Sequence, residues 1–236
     1  MNIENLFDYE SLRYEKKYIC SNLLTSQARL IIKSLPSQFI QSFSPRFVNN
    51  IYFDSLDKDN YQNNIDGIGD RHKIRIRWYN NLFGNVKEPK LEIKSKKNHQ
   101  NYKNTFAINN FYFEKNLKNK KNLKNWINKA DIPVNILKLL YSLHISSMNS
   151  YYREYFISTD NKIRITLDSE MTFYDVGTKS ITKIKAVDNS YPIIELKYDS
   201  KVSSEGDSIA NEIPFRMIKH SKYILGVEKQ LFNRKS

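Results

Sequence analysis

Glutamate and lysine two residues apart occur at Glu15/Lys17, Glu92/Lys94 and Glu195/Lys197, and Arg75/Arg77 repeat that spacing with two guanidinium groups. A period of two is that of a β-strand, whose alternate side chains share one face. Lys73 extends the arginine pair, Arg13 precedes the first Glu-x-Lys, and Lys162, Arg164, Thr166 and Asp168 form another alternating series. Arginine presents a planar fork to non-bridging phosphate oxygens, and lysine a compact point charge. A few carboxylates among such cations suit Mg²⁺ or Mn²⁺, which bind phosphates through one or two protein oxygens. The chemistry open to this set is the gripping of phosphates.

The elements that must position these groups follow from the intervening residues. Ile74, Ile76 and Trp78 alternate with Lys73, Arg75 and Arg77, and Leu91, Ile93, Ile163, Ile165, Leu167, Ile194, Leu196 and Tyr198 do the same on other segments. Strands are predicted at 12–20, 47–54, 72–79, 87–96, 103–113, 151–158, 162–168, 171–176, 182–187 and 193–199. Helices are predicted at 24–35, capped by Thr25 or Ser26, and from Ser55 to Gly67. A helical pair at 117–130 and 134–143 is split by Pro133. A mostly helical stretch at 209–224 has Pro214 near a helix start, and Gly226 precedes a short tail helix.

A half-exposed antiparallel sheet also alternates polar with apolar. Its solvated face normally mixes Thr, Ser and Gln with charges, whereas here the polar positions are nearly all Arg, Lys and Glu. Two arrangements satisfy the pattern: charges in bulk water around an apolar centre, or a closed sheet with charges inside and apolar faces outward under helices. The apolar stripes of the helical segments favour the second, because they need an apolar surface to cover. Unpaired buried ions cost several kcal/mol each. A charged bore must therefore be wet, laced with ion pairs or filled by an anion.

The composition agrees with one folded domain over residues 1–236: 40% of the residues are hydrophobic, and Gly and Pro number only six each. A net charge of +13, from 38 Lys and Arg against 25 acids, favours a polyanionic partner. Cys20 stands alone, which excludes an internal disulfide and reads as a small buried hydrophobe. The apolar stretch 136–145 falls well short of the ~20 residues that span a bilayer, and a cytoplasmic setting is expected. His72, His99, His144 and His220 have no metal-type spacing, so a zinc site is not expected. No P-loop is present, and Asp66-Gly67-Ile68-Gly69 reads as a turn. Nucleic acid is a poor fit as partner, since no RNP-like or zinc-finger pattern occurs.

Eight segments together carry a family resemblance: RYEKKY (13–18), NNIYFDS (49–55), KIRIRWY (73–79, following Tyr61), LEIKSK (91–96), YYREYF (151–156), KIRITLD (162–168), IIELKY (193–198) and SKY (221–223). In this order and over nearly the whole chain they resemble the VTC-type polyphosphate polymerase domain of the triphosphate tunnel metalloenzyme superfamily. The resemblance implies an α+β fold: an eight-stranded antiparallel β-barrel tunnel with a charged lumen, flanked by helices. It implies ATP and inorganic polyphosphate as ligands and Mn²⁺ or Mg²⁺ as cofactor. Carried over by motif, Lys17, Arg75, Arg77, Lys94, Arg153, Arg164, Lys197 and Lys222 would bind phosphate, with Arg13 and Lys73 beside them. Glu195 would lead as metal ligand; Glu15 and Glu92 are further candidates whose alternative role is to pair with neighbouring cations.

Many members of the superfamily begin Glu-x-Glu-x-Lys, whereas this chain has Arg13 at the first position. That loss fits the polymerase branch and leaves fewer metal ligands. The segments characteristic of eukaryotic members, an SPX domain and a membrane span, are not among the 236 residues, so coupling to transport is expected to need a membrane-protein partner. The expected reaction moves the terminal phosphoryl group of ATP onto a growing polyphosphate chain, gripped by Arg75, Arg77 and Arg164 with Lys94. The rivals are hydrolysis of triphosphate or short polyphosphate in the same tunnel, and a non-catalytic module binding polyphosphate or RNA.

Overall fold

The computed structural model describes residues 13–69, 71–97, 100–115, 126–127, 132–177, 180–184 and 191–233. Its strands are β1 (Arg13–Ile19), β2 (Ile40–Asp54), β3 (Arg71–Tyr79), β4 (Gly84–Val86), β5 (Lys90–Lys97), β6 (Gln100–Ala107), β7 (Phe111–Phe113), β8 (His144–Ile157), β9 (Arg164–Val176), β10 (Ile181–Lys183) and β11 (Ile193–Asp199). The helices are α1 (Thr25–Ser34), α2 (Asp59–Ile65), α3 (Val134–Ser142), α4 (Ser203–Glu212) and α5 (Lys222–Asn233). Eight strands form one curled antiparallel sheet in the order β1-β11-β9-β8-β2-β3-β5-β6, with β10 added to β9. A separate β4–β7 ribbon lies outside it. Among the described residues no ladder joins β1 to β6, so the curl is open along that seam.

The sheet turns its charges inward. Ile74, Ile76, Trp78, Leu91 and Ile93 are buried on the outer face with Phe111, Phe113, Trp126, Ile136 and Leu140. Across the molecule Ile165, Leu167, Ile194, Leu196 and Tyr198 pack against Ala28 and Ile32 of α1 and Ile209 and Ala210 of α4. Helices and ribbon thus cover the apolar side, and the concave side is left to the charged residues. The facing is that of the second arrangement open to the sequence, charges inside and the apolar face under helices, but the sheet is curled rather than closed into a barrel.

Several boundaries depart from expectation. β2 starts at Ile40 rather than 47, because register shifts between Gln41 and Phe43 and between Phe43 and Arg46 hide its alternation. The two strands expected at 162–168 and 171–176 are one, β9, bent where Glu170 has a φ of 50°. The strand expected at 103–113 is two, β6 and β7. Neither Thr25 nor Ser26 caps α1; the Gln27 side-chain oxygen accepts the Leu24 N–H at 2.8 Å instead. The helix expected at 209–224 is absent as such: α4 ends at Glu212, Ile213 is extended ahead of Pro214, and α5 starts at Lys222 and runs through Gly226. A residue before proline is pushed out of the helical region, so Pro214 terminates a helix here. Of the helix expected at 117–130 only Trp126 and Ile127 lie among the described residues, and residues 185–187 of the strand expected at 182–187 lie outside them.

Candidate active site

Residues that strand alternation places inside the curl meet at one cavity of about 150 Å³. β1 supplies Glu15 and Lys17, β3 Lys73, Arg75 and Arg77, β5 Glu92 and Lys94, β8 Arg153, β11 Glu195 and Lys197, and the first turn of α5 Lys222. Eight cations therefore face three carboxylates. Two residues expected with them are not brought there. Arg164 is on the inner face opposite Lys197, but at the strand's first residue, where it is exposed outside the cavity. Arg13 is likewise exposed at the start of β1, opposite Asp199. Strand period gave both the correct face, but a residue at a strand's end projects into solvent.

Arg75 and Arg77 are held from below. Arg75 donates to Glu92 Oε2 through Nε at 2.7 Å and Nη2 at 2.5 Å, and Nη1 reaches the Tyr52 hydroxyl at 3.3 Å. Arg77 donates to Asn50 Oδ1 at 3.0 Å and the Tyr151 hydroxyl at 3.3 Å, with Glu92 Oε1 3.7 Å away. Burial opposes ionisation of Glu92, but the two guanidinium groups overcome it and hold its pKa at about 2. Glu92 thus has the pairing role.

A second centre lies around Asp168, which is fully buried. Arg153 grips it with two near-parallel bonds, Nε to Oδ1 at 2.5 Å and Nη2 to Oδ2 at 2.7 Å, and Lys222 Nζ lies 2.6 Å from Oδ2. Lys222 and Arg153 also sit over the Tyr151 ring, at 4.7 and 5.2 Å from its centroid. Burial disfavours charge on Asp168, and Arg153 and Lys222 more than reverse this, pulling its pKa down. Lys222 arrives here because α5 is seated deep: Gly226 sits so close to β8 that an added Cβ would overlap Ser147 Oγ and stand 3.2 Å from the Phe173 ring. Tyr223, next in the helix, donates its hydroxyl proton to buried Asp54, whose carboxylate also accepts the backbone N–H of Ser55, Asn60 and Tyr61 at the start of α2.

Glu15 and Glu195 form the third group. Lys197 bridges them, at 3.6 Å from Glu15 Oε2 and in direct contact with Glu195 Oε1, while Lys17 pairs with Glu15 at 2.5 Å. Burial and mutual repulsion work against charging both, and Lys197, Lys17 and their neighbours still hold both pKa values low. Lys17 and Lys197 occupy three of the four carboxylate oxygens, so a divalent cation here would share or displace an ammonium. Among the described residues no cluster of three or more His, Cys, Asp or Glu could cage one alone. Glu15 and Glu195 could together contribute one or two oxygens to a divalent cation, the rest of whose coordination would come from phosphate oxygens and water.

Sequence reasoning did not single out Tyr52, Tyr151, Asp168, His220, Ser221 and Tyr223 as site residues. Asp168 had the period as its signal; the tyrosines had none, because an inward tyrosine reads as core. His220 lines the cavity with its Nδ1 buried and, among the described residues, without a hydrogen-bond partner. Burial, then Lys222 and Lys17, lower its pKa to about 4 and keep it neutral. Lys73 donates to Ser221 at 3.0 Å, and burial with its cationic neighbours brings its pKa down to about 8.

Solved structures share this architecture at low identity. A protein from Hippeastrum, named as a candidate adenylyl cyclase with a dominant triphosphatase activity, matches with a TM-score of 0.54 at 12% identity, covering 92% of this chain and 96% of that one. The PH1819 protein of Pyrococcus horikoshii matches with a TM-score of 0.51 at 12% identity, covering 93% and 98%. A candidate adenylate cyclase from Vibrio parahaemolyticus matches with a TM-score of 0.51 at 11% identity, covering 91% and 98%. No curated protein matches the sequence at comparable significance. The family model described as VTC domain matches residues 12–231.

Proposed function

The chain belongs to the VTC domain family, and on that premise we propose that it is a polyphosphate polymerase, moving the terminal phosphoryl group of ATP onto inorganic polyphosphate. The observation that carries this reading is the convergence of eight cations from five strands and one helix on a single cavity. Such a surplus over the three lining carboxylates and Asp168 behind them matches a ligand with several negative charges in a row. In the transfer, a terminal oxygen of the chain forms the new bond to the γ-phosphorus of ATP, and the bond from that phosphorus to the β,γ-bridging oxygen breaks. ADP leaves with the electron pair. The attacking oxygen is already ionised, so no side chain has to take a proton.

Phosphoryl transfer needs mainly alignment and neutralisation of charge. Arg75 and Arg77, fixed by Glu92, Asn50 and the two tyrosines, would hold the transferred group. Arg153 and Lys222, fixed by Asp168, would hold its neighbour, and Lys17, Lys73, Lys94 and Lys197 would guide the rest of the polymer. A divalent ion bound at Glu195 and Glu15 would neutralise charge on the bridging oxygens. Among the described residues no helix is long and apolar enough to cross a membrane.

Incubating the protein with ATP and Mn²⁺ and sizing the product on a gel tests this directly. The expected outcome is lengthening polymer with one ADP per added phosphate. Replacing Arg75 and Arg77 together by Gln is expected to lower turnover by at least about a thousandfold with an unchanged circular dichroism spectrum; retained synthesis would refute the assignment. Hydrolysis is the second reading, favoured by the triphosphatase activity of the Hippeastrum protein. Orthophosphate release without lengthening would select it.

A further inference from the structure

Beside the cavity, on the inner face of β2 and β8, lies a cluster that the phosphate chemistry does not use. Arg46 stands directly opposite Arg153 in the β2–β8 ladder, so their Cβ atoms are ~5 Å apart. Yet among the described residues its guanidinium meets rings and not a carboxylate. It lies 3.9 Å over the Tyr79 ring and 5.3 Å from the centroid of Tyr155, with Nε 3.4 Å from the Tyr155 hydroxyl. Phe43 meets Tyr155 edge-on, centroids 5.8 Å apart at 79°, and is 64% exposed.

The backbone is bent to make this grouping. Phe43 is opposite Tyr155 and Arg46 opposite Arg153. Three steps along β2 therefore span two along β8, and the register shift between them, at Ser44-Pro45, puts Phe43 and Arg46 on the same face. A regular strand would have sent Phe43 to the opposite side. Bulges recur beside active sites because they re-aim side chains in this way. The result leaves a large ring in water at the lip of a cationic cavity, beside a guanidinium already stacked on a ring.

We propose that Tyr79, Arg46, Tyr155 and Phe43 form a nucleobase platform at the tunnel lip, on which the base of a nucleoside triphosphate stacks while its phosphates enter the cavity. The inference rests on the reading that a nucleoside triphosphate is the phosphoryl donor. A bare phosphate chain has no use for an exposed phenyl face, whereas a ligand with a polyanionic end and a flat uncharged end matches cavity and lip together. Stacking on aromatic and guanidinium faces tolerates any base, so the platform would fix the donor's orientation with little choice among bases.

The test is isothermal titration of ATP and, separately, inorganic tripolyphosphate into the wild type, Phe43→Ala and Phe47→Ala. Phe47 is on the same strand but points to the other face, against Tyr152, and serves as control. Phe43→Ala is expected to weaken ATP about tenfold and to leave tripolyphosphate within about twofold, while Phe47→Ala changes neither. If Phe43→Ala left ATP unaffected, or weakened both ligands equally, the platform would be wrong while the phosphate-binding reading stood. If the wild type bound neither ligand, both would fall.

Discussion

At the scale of single residues, Arg75, Arg77, Arg153 and Lys222 are each held by a buried carboxylate, Glu92 or Asp168, that faces them from within the protein. Glu92 under Arg75 and Arg77 is the clearest case, with a side chain only 8% exposed. Its pKa of about 2 in the folded state against about 4.3 for a free glutamate gives the sign of a pH effect. A depressed carboxylate adds stability that is complete above the unfolded value and is lost as pH falls from about 4 to about 2. The size is on the order of 3 kcal/mol. Glu92→Gln is therefore expected to destabilise the ligand-free protein at pH 7 by a similar amount in urea unfolding, and to flatten the acid limb of its stability curve. Saturating tripolyphosphate should narrow the gap between variant and wild type, because the ligand supplies the charge that the variant lacks. An equal gap with and without ligand would mean that Glu92 does not share its arginines with the anion. Pairing with a neighbouring cation was legible beforehand only as the alternative to a metal role for Glu92, since Glu92 and Arg75 follow strand period on neighbouring strands. The tyrosines that complete the cradle were not, because period alone does not separate a tyrosine facing a cavity from one facing a core.

At the scale of elements, what could be read was the face of each strand, and what could not was where strands and helices stop. β11 is found at the expected Ile193–Asp199, since nothing interrupts its alternation. β2 was shortened in expectation because a bulge breaks the period, and the same bulge aims Phe43 and Arg46. The C-terminal helices were misplaced because Gly226 looks like a terminator. It is in the middle of α5 because only a residue without a side chain lets that helix approach Ser147 and Phe173. Gly226→Val should force α5 away from β8, at a cost of about 1–3 kcal/mol. Since Lys222 and Tyr223 ride on the same helix, tripolyphosphate affinity should fall along with the melting temperature. A variant that lost stability but bound tripolyphosphate as tightly as wild type would show that the seating of α5 does not place Lys222.

At the scale of the whole molecule, the fold resolves an electrostatic conflict by leaving room for a ligand. The sheet curls so that its apolar face is covered by helices and its charged face encloses a cavity lined by eight cations and three carboxylates, in a chain whose net charge is +13. Burial together with Lys17, Arg71 and Lys94 holds Lys73 below the usual lysine range, so a polyanion among these cations is stabilising. A ligand that binds only the folded state stabilises it by ~2.7 kcal/mol at a hundred times its dissociation constant. For a chain of this size that corresponds to a rise in Tm of about 5–10 °C. The rise should depend on chain length at constant total phosphate: small for orthophosphate, large for tripolyphosphate, and larger still for long polyphosphate, because only a connected chain bridges the Arg75/Arg77 and Arg153/Lys222 centres at once. Added salt should shrink the effect only in part, since buried pairs are screened less than surface ones. Thermal melts across this series decide the point. Equal shifts for orthophosphate and tripolyphosphate at matched phosphate would mean that the cations act as separate anion sites and that no continuous passage reads the polymer.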